Sequence, residues 1–392
     1  MSNAFKQISC DIFCRVIDNY GDIGVCWRLA RQLAHEHGWQ VRLFVDDVAS
    51  LHKLWPSVDA EAGTQTVSDI QIMAWETAWK EAGGEAVPFK PAQVVIEAFA
   101  CDPPPAYIAQ MAAMQIAPVW INLEYLSAEA WVADCHGMAS IHPQYGLRKT
   151  FFFPGFTAQT GGLLREQNLL AERAAFLQNK SAQAHYLEGL GIPSRPDATT
   201  VLLFSYASPH VSAVLDAWEA HPNTLQVLVP PTPALPQIRA WQAAHPHAKI
   251  EIIEIPFVPQ DQFDRLLWAC DILFIRGEDS AVRAQWAGKP LIWHIYPQAE
   301  QAHLPKLQAF LDLYCADLPP AAAQAQQALN LAWSDATQPA NFHELWTTWW
   351  AERAVLAQHA QTWQQQQANL LDLAQLLVTY SLKAIEKQAL IS

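Results

Sequence analysis

The sequence predicts an α/β protein made of two doubly wound halves, each a parallel sheet with helices on both faces. Short apolar runs alternate with helical patterns of about ten residues in both halves, the pattern of βαβ units. The 392 residues are enough for two domains of roughly 100–200 residues each. Between the halves lies a polar stretch, 178–196, that carries Gly191, Pro193 and Pro196 and sets the expected boundary between 185 and 186.

In the first half, 10–17 (CDIFCRVI) reads as a buried strand. The turn Asp18-Asn19-Tyr20-Gly21-Asp22-Ile23-Gly24 follows. Val25, Cys26, Leu29, Ala30, Leu33 and Ala34 then recur at helical spacing, and Gly38 is the expected stop. Residues 41–45, 94–99 and 118–123 are further strands of the same sheet. In the second half, 200–206, 225–229, 249–255, 271–275 and 291–295 are short apolar runs of the same kind. After Pro319 the pattern is helical to the end. The last helix, about 365–392, has a leucine stripe that suits packing back on the first half.

Composition excludes several classes. Hydrophobic residues make up 51% and charged residues 16%, against wholesale disorder. Lys and Arg number 24 against 38 Asp and Glu, a formal charge of −14. Such a surface disfavours nucleic acid, whose phosphates need cations, and suits a partner bearing basic side chains. Seven widely spaced cysteines without a CxxC pair read as reduced, packed thiols. No signal segment and no apolar run of about 20 residues is present, so a cytoplasmic protein without a membrane partner is expected. The 14 histidines form no HExxH pair, and neither a GxSxG elbow nor a Walker A loop occurs, so no metal site is expected.

Four constellations carry chemistry. Asp18 and Asp22 straddle a glycine-bearing turn at the carboxyl end of the first strand, the edge where ligands of open α/β sheets bind. Two carboxylates repel a diphosphate but suit a cationic or hydroxyl acceptor; alternatively Asp18 ends the strand and Asp22 caps the helix. Phe274-Ile275-Arg276-Gly277-Glu278-Asp279-Ser280 leads a strand through glycine into a helix start whose N–H groups and dipole favour a diphosphate. There Ser280 can donate a hydrogen bond and Glu278 can accept from sugar hydroxyls, or Asp279 and Ser280 are an ordinary cap. Phe204, Tyr206 and Phe257 lie at strand ends where they can sandwich a nucleobase, or fill the core. Asn122-Leu123-Glu124-Tyr125 ends another first-half strand and adds the carboxylate of Glu124, which a structural role would equally explain.

Three runs together resemble the EarP family of protein-arginine rhamnosyltransferases: DNYGDIGV at 18–25, LEYLSAE at 123–129 and RGEDS at 276–280. The resemblance covers essentially the whole chain. It implies the GT-B fold, with an acceptor-binding domain at 1–185 and a nucleotide-sugar domain at 186–364. It implies inverting, metal-independent transfer of L-rhamnose from dTDP-β-L-rhamnose to one arginine of elongation factor P, which then relieves polyproline-stalled ribosomes. The donor is a substrate; no cofactor is implied. By motif match Asp22 is the catalytic carboxylate with Asp18 beside it, and Asn19, Tyr20 and Glu124 meet the acceptor. Phe204, Tyr206 and Phe257 hold the thymine end of the donor, and Glu278, Asp279 and Ser280 its sugar and diphosphate. A nucleotide-sugar epimerase, a small-molecule glycosyltransferase of the same fold, or a binding module without chemistry are the competing readings.

The chemistry constrains the role of Asp22. A guanidinium holds its proton far above neutral pH and a carboxylate gives its proton up well below it, so full deprotonation by the carboxylate cannot precede attack. The carboxylate must bind and polarise the guanidinium and accept its proton as the C–N bond forms.

Overall fold

The computed structural model describes residues 7–18, 20–75 and 90–391. It divides into two compact units, Met1–Gln167 with Leu370–Ser392, and Asn168–Asn369. The first contains an eight-stranded sheet of β1 (Ser9–Cys14), β2 (Gln40–Val45), β3 (Thr64–Val67), β4 (Ile70–Ala74), β5 (Val94–Ala98), β6 (Val119–Leu123), β7 (Ala139–Ile141) and β8 (Arg148–Phe152). Their order is β3-β4-β2-β1-β5-β6-β8-β7. The inner pairs are parallel, whereas β3 and β7 run antiparallel at the two edges.

Parallel strands are covered on both faces, which is why β1, β5 and β6 read as nearly unbroken apolar runs and are buried along almost their whole length. The edge strand β3 is TQTV with alternate exposure, a pattern too polar to stand out in sequence. It turns into β4 through Ser68 and Asp69 at φ 50° and 61°, the left-handed pair that a two-residue hairpin requires.

The second unit contains β9 (Thr199–Leu203), β10 (Leu225–Val229), β11 (Glu251–Glu254), β12 (Ile272–Arg276) and β13 (Leu291–His294), all parallel, in the order β11-β10-β9-β12-β13. This doubly wound arrangement places the carboxyl ends of β9 and β12 side by side. Trp218, Phe274, Trp333 and Trp346 form the centre of its core.

The boundaries differ from expectation in a physically clear way. The unit boundary lies at Asn168, upstream of 186, because helices Leu169–Gln178 and Lys180–Gly189 pack on the second sheet's helices. Phe176 meets Trp268 and Tyr186 at ring distances of 5.8 and 5.9 Å, and the Tyr186 hydroxyl donates to the Gln262 carbonyl at 2.9 Å. Helix Lys180–Gly189 buries no residue and therefore looks like a linker by composition. At the other end the crossing falls at Leu370, and helix Leu373–Ile391 lies in the first unit, with the Tyr380 hydroxyl 2.6 Å from Thr150 Oγ1. Among the described residues no helix is long and apolar enough to cross a membrane. All seven cysteines are free, six of them buried.

Candidate active site

In the first unit, β1 stops at Cys14, and 15–18 continue as a loop instead of the longer strand expected to 17. Helix Gly21–His35 begins at once, with Tyr20 as its N-cap residue. Asp22 is in the first helical turn, but its carboxylate reaches back out of the helix. Its Oδ2 accepts from the backbone N–H groups of Ile17 at 2.7 Å and Asp18 at 2.9 Å. Asp22 thus does not cap its own helix as a conventional Ncap residue would; it ties the strand exit to the helix start. It is 2% exposed, a buried, clamped carboxylate, whereas Asp18 is half-buried. The turn has little room: a Cβ on Gly21 would stand 3.1 Å from Asp18 Oδ2. Tyr20 is half-buried with the Lys53 ammonium 5.9 Å from its ring centre. Asn19 lies outside the described residues. Beneath the loop, Cys14 and Cys26 are buried, which pushes both thiols up and keeps them neutral.

At the carboxyl ends of β5 and β6, next to β1, a second group of polar residues collects. The Asn122 amide donates to Glu124 Oε1 at 2.6 Å, and the ring of Tyr125 stacks on Phe99 at 4.4 Å. Glu97 faces inward from β5, in register with Phe13 and Asn122. Its carboxylate accepts from Trp120 Nε1 at 3.1 Å and pairs with Lys149 at 3.3 Å; burial raises its pKa, and the lysine opposes that shift. A single acid inside the apolar run VVIEA was the only signal of it in the sequence.

In the second unit, Arg276 ends β12 and its guanidinium stands 4.8 Å from the ring centres of both Phe204 and Tyr206. The rings expected to sandwich a base therefore flank a buried cation, 6% exposed. Phe204 is also half-buried against Phe263 at 5.7 Å, and Tyr206 meets Tyr296 at 5.5 Å and His294 at 5.3 Å. Burial, with His303, Arg276 and His210 nearby, lowers the His294 pKa to about 3. Phe257 is half-buried in the loop after β11.

Gly277 adopts φ 70°, a left-handed conformation that lets β12 turn into helix Asp279–Ala287. The turn is fixed by Trp293 Nε1 donating to the Gly277 carbonyl at 2.8 Å. Glu278 is the N-cap residue; Asp279 and Ser280 form the first turn, all three half-buried. A bidentate ion pair between Arg283 and Asp264, 2.7 Å on both arms, locks this helix to Gln260–Ala269, and Gln260 Nε2 donates to Asp279 Oδ2 at 3.4 Å. Sequence reasoning missed Phe263, His294 and Tyr296, which only the packing brings to Phe204 and Tyr206. Among the described residues no cluster of three His, Cys, Asp or Glu is placed to hold a metal ion.

The geometry can be set beside known proteins. The family model described as "Elongation-Factor P (EF-P) rhamnosyltransferase EarP" matches residues 10–382. A Pseudomonas putida protein named protein-arginine rhamnosyltransferase is 46% identical over 378 residues, covering 94% of this chain and 97% of that protein. A solved structure described as the structural basis for EarP-mediated arginine glycosylation of translation elongation factor EF-P is similar with TM-score 0.66 and 34% identity, covering 95% of this chain and 98% of that one. A UDP-GlcNAc 2-epimerase from Neisseria meningitidis, at TM-score 0.52 and 10% identity, shares the fold alone.

Proposed function

The chain belongs to the EF-P rhamnosyltransferase family EarP, a GT-B glycosyltransferase family, and from that premise we propose that it moves L-rhamnose from dTDP-β-L-rhamnose to an arginine of elongation factor P with inversion at the sugar. The acceptor guanidinium binds at the first unit's loop, where Asp18 and Asp22 supply anionic partners and Tyr20 and Glu124 flank it. The observation that carries this reading is the Asp22 carboxylate, fixed through one oxygen by two backbone N–H groups at the carboxyl end of β1. A clamped carboxylate is preorganised: it does not reorient as the guanidinium begins to attack. It polarises one guanidinium nitrogen and takes its proton while the C–N bond forms and the bond from the anomeric carbon to the leaving diphosphate oxygen breaks. Loss of one proton balances the gain of the glycosyl group, so the product is a glycosylated guanidinium with a single positive charge, and the proton on Asp22 passes to solvent.

The donor lies in the second unit. The start of helix Asp279–Ala287 offers N–H groups and the Ser280 hydroxyl to the diphosphate, and Arg276 adds a positive charge held in a rigid aromatic clamp. Glu278 and Asp279 accept from sugar hydroxyls. Phe204, with Phe257, offers ring faces to the thymine, while Tyr206 chiefly holds Arg276. The donor's own charge is met by these groups without a metal in the proposed mechanism.

Incubation of the protein with elongation factor P and dTDP-β-L-rhamnose should add one deoxyhexose to the acceptor by intact mass, mapped to one arginine by tandem spectra. Consumption of donor without acceptor, to an isomeric nucleotide sugar, would instead support the epimerase reading. Replacing Asp22 by Asn should lower turnover by at least about a hundredfold, the scale of a general base. Donor affinity by calorimetry should stay within about twofold, since the change is confined to the acceptor unit.

A further inference from the structure

Asn122 sits on β6, 1% exposed, one residue from the strand's end. Its two amide ends face different partners. Oδ1 accepts the backbone N–H of Ala100 at 3.1 Å, and Nδ2 donates to Glu124 Oε1 at 2.6 Å. The partners fix the amide's orientation, because an N–H needs an acceptor and a carboxylate needs a donor. Neither aspartate nor leucine can satisfy both.

The segment that Asn122 grips is strained. Phe99, Ala100 and Asp102 have φ of 57°, 51° and 51°, left-handed values without glycine. Each such residue costs on the order of 1–3 kcal/mol and persists where surrounding contacts over-determine it. Here the contacts are the Phe99 N–H to the Leu123 carbonyl at 2.7 Å, Cys101 Sγ to the Phe13 carbonyl at 3.3 Å, and the Phe99–Tyr125 stack. Glu124 is fixed from its own backbone too, its N–H donating to the Phe152 carbonyl at 2.9 Å. This stiff frame surrounds one carboxylate at the carboxyl end of β6, one strand removed from β1, which leads to Asp18 and Asp22. Pairing with a planar guanidinium fork depends on carboxylate orientation more than on charge alone.

We infer that Asn122 is a positioning residue for acceptor recognition: it spans the strained Ala100 backbone and the Glu124 carboxylate, and so sets the angle at which Glu124 meets the arginine. The inference rests on the acceptor reading of Glu124 given above. Asn122→Asp places two carboxylates in the space of one hydrogen bond. At pH 8 they repel and Glu124 turns away; at lower pH one shared proton restores a donor.

The test is steady-state kinetics of the full-length protein with elongation factor P and dTDP-β-L-rhamnose at pH 6 and pH 8, with melting temperatures recorded. N122D should raise the acceptor KM about tenfold at pH 8, leave the donor KM within about twofold, and recover part of the loss at pH 6. In a Glu124→Ala background the same substitution should change the acceptor KM by less than about twofold. An equal effect in both backgrounds, an equal rise in both KM values, or an absence of the pH recovery would overturn the proposal. Should N122D not fold, E124A alone decides. A raised acceptor KM supports the frame, and an unchanged one removes what Asn122 is said to orient. Normal rhamnosylation with unaffected Asn122 variants defeats only this inference; no rhamnosylation by the unaltered protein defeats the function itself.

Discussion

At the scale of single residues, the candidate site in each unit is made of charges whose freedom has been removed. Asp22 is held by two N–H groups, Arg276 by two rings, and Glu124 by one amide. A cation over two aromatic faces gains about 0.5–2 kcal/mol per contact when desolvated. Arg276→Ala removes both the clamp's content and the proposed diphosphate partner. We expect the donor KM to rise about tenfold or more, with the acceptor KM nearly constant, in initial-rate kinetics varying each substrate in turn. His294 gives a prediction about stability. Its folded-state pKa of about 3 lies below the ordinary 6.5. Between those values the unfolded chain binds the extra proton, so stability rises with pH. The contribution is complete above about 6.5 and is lost as pH falls toward 3. The urea midpoint of His294→Phe should therefore drop less between pH 7 and pH 4.5 than that of the unaltered protein.

Legibility at this scale was uneven. Asp18, Asp22 and Glu278 stand in short polar loops between apolar runs and are visible without a structure. Glu97, Asn122 and His294 are polar residues inside runs that read as strand interior. Their meaning depends on which neighbour the sheet register sets opposite them.

At the scale of elements, the proposed mechanism places its chemistry at the starts of two helices, one in each unit. Helix Gly21–His35 begins immediately after the proposed acceptor loop, and helix Asp279–Ala287 begins at the Gly277 turn. The second is only nine residues long, so its position depends on tertiary contacts more than on its own propensity. Arg283 to Asp264 is the main polar tie, with the Arg283 side chain 1% exposed. Asp264→Ala leaves that cation buried without its partner, a change that typically costs about 3–5 kcal/mol. Denaturant unfolding should show that loss in the second unit's tryptophan signal, together with weakened donor binding, because the helix start moves with the helix. Most strand positions were readable from apolar runs, but β3, β4, β7 and β8 were not. They are edge or near-edge strands with alternating or charged faces.

At the scale of the whole molecule, the chain carries a formal charge of −14 and is proposed to receive a cationic side chain. Long-range attraction of this kind accelerates encounter and is screened by salt, with a Debye length of about 10 Å at 0.1 M and 3 Å at 1 M. Raising ionic strength from 0.05 to 0.5 M should lower kcat/KM for the protein acceptor severalfold, while kcat at saturating acceptor changes little. Stopped-flow association of labelled elongation factor P would place the effect in the on-rate.

What the sequence determined by itself is local. Buried parallel strands need apolar runs, loops at their carboxyl ends can carry polar groups, and the three runs at 18–25, 123–129 and 276–280 resemble the family whose model matches residues 10–382. What only the tertiary structure decided is non-local: the strand orders, the crossings at Asn168 and Leu370, the Arg276 clamp, and the Ala100–Asn122–Glu124 chain. Those depend on register between strands far apart in sequence. A one-residue shift turns every side chain of a strand to the opposite face, and no run of neighbouring residues encodes which shift is taken.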